Sequence, residues 1–242
     1  MLVKTKAIIL HAFRYGESQM IVDLLSETEG RLSVITHVSS SPRARIRKQF
    51  FQPLTVVEVV IDKRRNSSLH RLKEVRIAIP FASIPISPFK LSISLFIAEF
   101  LCNAIREEFP DAGLYKYVEN SILWLDGVER DFSNFHLVFM LRLSRFVGFF
   151  PNLDGFAPDS FFDLRNGCFT TSAPLHSNFL QPADASRIIT MMRMNYDTMH
   201  LFTMSHHDRN RCVDTILDYY RLYVPGFKEM KSLPVLKEIF AD

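Results

Sequence analysis

Residues 37–73 read HVSSSPRARIRKQFFQPLTVVEVVIDKRRNSSLHRLK. Nine of these residues are Lys or Arg and only two, Glu58 and Asp62, are acidic. The positive charge falls in two bursts, Arg43–Lys48 and Lys63–Arg65, with the apolar run Leu54–Ile61 between them. A charge run alone is usually a solvated loop beside a core strand. Two basic loops flanking one strand also describe a charged face on a small β domain, which attracts phosphate backbones through counterion release.

The flanking sequence supplies more strands. Residues 2–10 alternate and then become apolar through Ile8, Ile9 and Leu10, which predicts a strand with a solvated basic start. Tyr15-Gly16-Glu17-Ser18 is a turn. Met20–Leu25 is a second strand and Arg31–Val38 a third, reached through the tight turn at Glu29-Gly30. Leu54–Ile61 is the fourth and Leu69–Ile79 the fifth. Five short strands in residues 1–80, with the longer link after the third, predict a small closed barrel. The OB-fold is such a barrel and binds oligonucleotides; an SH3-like barrel fits the strand count as well.

At Pro80 the texture changes. Pro80, Pro85 and Pro88 bracket a connector, and the period then becomes helical. Ser87-Pro88 is a helix start, and Leu91, Leu95, Ala98, Leu101 and Ile105 recur at three to four residues up to Pro110. Further helices are predicted over Tyr115–Leu125, Phe132–Phe149, Pro182 to about Met204, Asp208–Tyr223 and a short tail capped by Ser232. Residues 150–180 interrupt them with a hairpin over Phe161–Phe169, its Asn166-Gly167 pair suiting a type I′ turn. The expected class is α+β: a barrel domain over residues 1–80 and a helical domain over 81–242, the hairpin inserted in the latter.

Charge divides the same way. Residues 1–80 carry 14 basic and 7 acidic side chains, whereas 81–242 carry 15 and 19, so the formal net charge of +3 conceals a basic front and a mildly acidic rear. The three cysteines, Cys102, Cys168 and Cys212, are isolated, which indicates reduced thiols and no disulfide framework. No signal-peptide pattern opens the chain, and no apolar run reaches the ~18 residues of a membrane helix. A cytoplasmic, nucleoid-associated protein is expected.

Catalytic patterns are missing from the sequence. GxxxxGK[ST] and GxGxxG do not occur, which argues against a nucleotide-dependent enzyme. His200, His206, His207 and Cys212 lack metal-ligand spacing. Asp23, Glu27 and Glu29 read as strand and turn acids rather than a nuclease centre. Met191, Met192, Met194 and Met199 recur at helical spacing and read as core, or else as an adaptable apolar groove. No enzyme activity and no cofactor are expected.

Several stretches, in order, resemble the bacterial RecO recombination-mediator family: Lys4-Thr5, Ile8–Leu10, Tyr15-Gly16-Glu17-Ser18, Met20–Leu25 and Thr28–Leu32 at the start. Arg43–Lys48 follows with Gln52-Pro53-Leu54-Thr55, where the family has Phe in place of Leu54. Pro225-Gly226-Phe227-Lys228 and Lys231-Ser232-Leu233 resemble the family's ending. The resemblance implies an OB barrel, binding of single- and double-stranded DNA, annealing of complementary strands, and help in loading RecA onto DNA coated by single-strand-binding protein. It also implies two partners, RecR and the acidic, apolar tail of single-strand-binding protein. Many members carry a four-cysteine zinc module; the matching region here, about Pro151–Phe179, keeps only Cys168, so no zinc is expected and Phe156, Phe161, Phe162 and Phe169 should hold the hairpin instead.

The expected phosphate contacts are Lys4, Lys6, Arg14, Arg43, Arg45, Arg47, Lys48, Arg64, Arg65 and Arg71. Phe50 and Phe51 either stack on bases or pack beneath the barrel. Arg142 and Arg145, three apart on one helix face, are candidates for receiving an acidic partner tail or for pairing with helix acids. The rival to a mediator is an adaptor of a repair complex that touches DNA only incidentally.

Overall fold

The first strand carries the barrel. In the computed structural model, which describes residues 1–39, 46–65, 67–106 and 109–239, β1 runs over Leu2–Tyr15, well past the expected end at Leu10. Beside it lie β2 (Gln19–Ser26), β3 (Gly30–His37), β4 (Val56–Asp62) and β5 (Leu69–Ile79). They close in the order β1-β2-β3-β5-β4. Every neighbour is antiparallel except β3–β5, where Ser33, Val34 and Ile35 pair in parallel with Leu69, His70 and Arg71. The inner faces of all five strands meet in one core that includes Ala7, Ile9, Val22, Leu24, Val34, Val57, Val59, Ile61 and Leu72. This is the five-stranded closed barrel that the strand count and the OB-fold reading anticipate.

Helices α1 (Pro88–Ala104) and α2 (Ala112–Gly127) follow. Ser87 caps α1 by accepting from the Lys90 amide, with Pro88 in its first turn, as the Ser-Pro pair predicts. Two compact units result: Met1–Gly127 together with Met230–Ile239, and Val128–Glu229. The shift in texture at Pro80 therefore marks a change of secondary structure, while the contacts group α1, α2 and the tail helix α6 (Leu233–Ile239) with the barrel. The reasons are local. Ile8, on the opposite face of β1 from Ala7 and Ile9, is fully buried, and α1 packs on that strand. The Arg31 guanidinium donates to the carbonyls of Cys102, at 2.7 Å, and Ile105, which satisfies the open C-terminal end of α1. The Asp126 carboxylate accepts from the amides of Ala82, Ser83 and Ile84 at 2.8, 2.9 and 2.8 Å. That ties the proline-bracketed connector to α2. Glu99 accepts from the amides of Lys231 and Ser232, both at 2.8 Å, and from the Ser232 hydroxyl.

The second unit is built on α3 (Phe135–Leu143), α4 (Pro182–Arg193) and α5 (His206–Tyr223). The regular part of α3 is shorter than the apolar run. Its last turn closes at Gly148, φ +87°, with the Phe149 amide donating to the Ser144 carbonyl at 3.0 Å, the 6→1 bond of a Schellman cap. The expected helix from Pro182 to Met204 stops at Arg193 because Asn195 takes over the chain. Its side-chain oxygen accepts from the Thr198 amide at 2.8 Å, a local bond that competes with the helix. Met191, Met194 and Met199 are buried, so these methionines serve as core.

The insertion is a three-stranded sheet, β6 (Phe161–Asp163), β7 (Cys168–Thr170) and β8 (Phe179–Leu180), in the order β7-β6-β8. Its turn is not the expected type I′. Asp163 pairs with Cys168 across four residues, and of Asn166 and Gly167 only Gly167 has positive φ, +63°. A Cβ on Gly167 would lie 2.5 Å from the Tyr219 Oη, so any other residue there would have to displace that hydroxyl and also hold a left-handed backbone. Phe162 and Phe169 stack edge-on at 5.0 Å, Phe156 on Phe169 at 5.1 Å and Phe161 on Phe179 at 5.7 Å. The phenylalanines expected to hold the insertion do so.

Candidate nucleic-acid interface

A bulge in β1 sets the outer face of the barrel. Ile9 pairs with Leu24 but His11 pairs with Asp23, so one residue is skipped. Before the skip the odd residues Thr5, Ala7 and Ile9 are buried; after it Ala12 packs on the core, and His11, Phe13 and Tyr15 turn outward. One extra residue reverses the alternation of a strand. Phe13 is 42% and Tyr15 54% exposed.

Tyr15 pairs with Gln19 and Gln19 with His37, forming a row across β1, β2 and β3. The Gln19 amide lies 3.1 Å from one His37 ring nitrogen and the Ser18 hydroxyl 3.3 Å from the other. This row borders a cleft of about 670 Å³ whose opposite wall is Arg64, Arg71 and Lys73. Arg64 belongs to the β4–β5 loop. Its amide donates to the buried His70 ring at 3.3 Å, and Ser67 bonds to both backbone groups of Leu69, so the loop is braced. On the other side of Gln19 lies a second cleft, about 400 Å³, lined by Phe13, Arg14, Glu17, Gln19 and Lys48. The β2–β3 face and the β1–β2 and β4–β5 loops are where an OB barrel binds oligonucleotides.

The expected phosphate contacts separate into groups. Arg64 and Arg71 line the first cleft, Arg14 and Lys48 the second. Among the described residues, none of these four forms an ion pair with an acid. Arg65 is exposed on the same loop as Arg64, and Arg47 is exposed just before the short 3-10 turn Lys48–Phe51. Arg43 and Arg45 lie outside the described residues. Lys4 and Lys6 stand elsewhere. Lys4 lies 3.8 Å from Glu58, which also holds Arg76 at 2.5 Å. Lys6 bonds Glu119 of α2 at 2.8 Å, and that bond raises the Lys6 pKa. Lys63 is likewise committed, to Glu29 at 2.6 Å.

Phe50 and Phe51 belong to the core: Phe51 is 4% exposed, and Phe50 packs against the same cluster. The exposed aromatics at the clefts are Phe13 and Tyr15, which border them with Gln19 and His37; the sequence reading assigns none of these four a binding role. A signal existed, because Tyr15 abuts the β1–β2 turn and that loop belongs to the binding face of an OB barrel.

In the second unit, Arg142 donates to the Met194 carbonyl at 2.9 Å, at the end of α4. Arg145 is exposed and lies 4.1 Å over the Phe150 ring. The structure thus gives Arg142 a backbone role and leaves Arg145 stacked at the surface. Burial pushes the thiols of Cys102 and Cys212 up to about 11, which makes both poor nucleophiles at neutral pH. Asp23 accepts from Ser33 and Glu29 from Lys63, and among the described residues no three His, Cys, Asp or Glu cluster as a metal site. Among them too, no helix is long and apolar enough to cross a membrane.

Comparison with known proteins agrees with this architecture. The family model for the N-terminal part of recombination protein O matches residues 1–81, and that for its C-terminal part residues 87–234. A DNA repair protein RecO from Phocaeicola vulgatus is 48% identical over the full length of both chains. The Bacteroides fragilis protein of the same name is also 48% identical, over 99% of this chain and all of its own. That of Flavobacterium psychrophilum is 31% identical over the full length of both. A basic-faced barrel of OB topology, a helical region with a small sheet, and full-length similarity to these proteins together place the chain in the RecO family of DNA repair proteins.

Proposed function

We propose that this protein is a non-enzymatic recombination mediator that binds single- and double-stranded DNA through the two clefts, anneals complementary strands, and helps load RecA onto DNA coated by single-strand-binding protein. One observation carries the reading. Four cations without an acidic partner among the described residues, Arg14, Lys48, Arg64 and Arg71, line the two clefts that share Gln19; Lys73, 3.9 Å from Asp62, also lines the larger one, whereas Lys4, Lys6, Lys63 and Arg76 are tied to carboxylates and line neither. An unpaired guanidinium or ammonium releases counterions when it meets phosphate, and that release drives binding without regard to sequence. Annealing follows from the same charge: screening the repulsion between two strands lets base pairing proceed without ATP. RecR and the tail of single-strand-binding protein are the expected protein partners.

The test is annealing of two labelled complementary oligonucleotides by the purified protein, without ATP or metal, first bare and then coated with single-strand-binding protein. Acceleration in both settings is expected. No acceleration of bare strands, with RecR binding intact, overturns the mediator reading in favour of an adaptor.

A further inference from the structure

We infer that Tyr15, with Phe13 beside it, is a platform on which unpaired bases stack, so that this face selects single strands over duplex; the inference rests on the DNA reading of the clefts. Three observations meet here. First, the β1 bulge is what turns this aromatic pair out of the barrel, and both rings stay exposed, at 42% and 54%, although Ala7–Leu10 of the same strand are buried. Second, their placement is shared between the clefts. Phe13 lines the smaller one with Arg14 and Lys48, Tyr15 the larger one with Arg64 and Arg71, and Gln19, the cross-strand partner of Tyr15, borders both. A strand whose phosphates engage both sets of cations must cross the β1–β2 hairpin at these rings. Third, the support is stiff. Tyr15 sits in register on β1, next to a turn set by Gly16 at φ +69°, and the Gln19–His37 contact braces the strand behind it.

The chemistry of the ligand follows. Every base has a flat π-face, so stacking on an aromatic ring is tolerant of sequence, and a basic groove combined with such rings is how sequence-neutral single-strand binders work. A paired base has both faces covered by its neighbours and its edge in a base pair, so a duplex offers the rings nothing. Phosphate contacts hold both forms; stacking holds only the unpaired one. The platform therefore retains the substrate of annealing and lets go of its product.

The experiment is titration of oligo(dT) and of a duplex of equal length, at one salt concentration, against the wild type, Tyr15→Ala, Tyr15→Phe and a variant with Arg64 and Arg71 both changed to Ala. The expected result is a loss of single-strand affinity of roughly five- to a hundredfold in Tyr15→Ala, unchanged duplex affinity, and near-complete retention in Tyr15→Phe. A Tyr15→Trp protein should show indole emission quenched by oligo(dT) and not by the duplex. Equal losses on both ligands, no loss, or a Tyr15→Phe protein as weak as Tyr15→Ala each overturn the platform. If the arginine variant loses binding and Tyr15→Ala does not, the clefts bind DNA and only the platform is refuted. If the arginine variant binds as well as wild type, the DNA reading of the first cleft falls and the platform with it.

Discussion

Consider two proteins that each lack four cations. In one, Arg14, Lys48, Arg64 and Arg71 are changed to Ala; in the other, Lys4, Lys6, Lys63 and Arg76. Both changes take the formal net charge from +3 to −1, so an account based on overall charge predicts the same effect. The structure predicts different effects. The first four line the clefts and form no ion pair among the described residues. The second four are held by Glu58, Glu119 and Glu29 at 3.8, 2.8, 2.6 and 2.5 Å. Each phosphate contact adds about 0.7 to the slope of log affinity against log salt for a single strand. Losing four contacts should therefore lower the slope by about 3, and a fourfold rise in salt should weaken wild-type binding roughly 50-fold more than it weakens the cleft variant. The ion-paired variant should change slope by less than about one contact's worth, because its cations have already exchanged their counterions for carboxylates. Fluorescence anisotropy of a labelled oligonucleotide across a salt series reads both slopes. Equal slope losses, or the larger loss in the ion-paired variant, would refute the assignment of the clefts.

Two further predictions concern what holds each unit. Asp126→Ala should destabilise the barrel unit by about 3 kcal/mol, since it strands three backbone donors that now bond a charged acceptor. Burial works to raise the Asp126 pKa, but the amides of Ala82, Ile84 and Ser83 outweigh it and hold it below the usual value. Its contribution is present above the unfolded carboxylate pKa and is lost as pH falls through the lower folded one, which denaturant melts of wild type and variant across acidic pH will show. In the second unit, burial and then Arg209 push the His136 imidazole down to about 3. Between that value and about 6.5 the unfolded chain binds a proton that the folded one refuses, so wild-type stability should fall by about 1.4 kcal/mol per pH unit on acidification. His136→Gln should flatten that slope, and an unchanged pH profile would remove His136 as its source.

The mediator reading joins these elements to one physical task. Phosphate neutralisation needs cations with no internal partner, and the protein keeps such cations at the clefts while committing others to its own scaffold. Arg31 on the α1 carbonyls and Lys6 on Glu119 are scaffold; Arg64 and Arg71 are surface. Counting basic residues therefore overstates the proposed DNA face, and the acid partners decide which charges remain available.

Much of this molecule is determined by local sequence. Alternation and turn residues mark the five strands, β5 to the residue, and Ser87-Pro88 marks the start of α1, because side-chain period and backbone preference act over a few residues. The family resemblance, carried by the order of short motifs, is likewise legible over nearly the whole chain. Tertiary structure alone decides the rest. The bulge in β1 leaves no trace in the apolar pattern, because Ile8, Ile9 and Leu10 are buried whichever face they take, the outer one being covered by a helix. Yet it is the bulge that turns Phe13 and Tyr15 outward, whereas Phe50 and Phe51, equally aromatic in the sequence, fold into the core. Likewise, nothing near Lys6 announces Glu119, which lies 113 positions away. Which face a side chain takes after a bulge, and which acid a cation finds, are set by distances that exist only once the chain has folded.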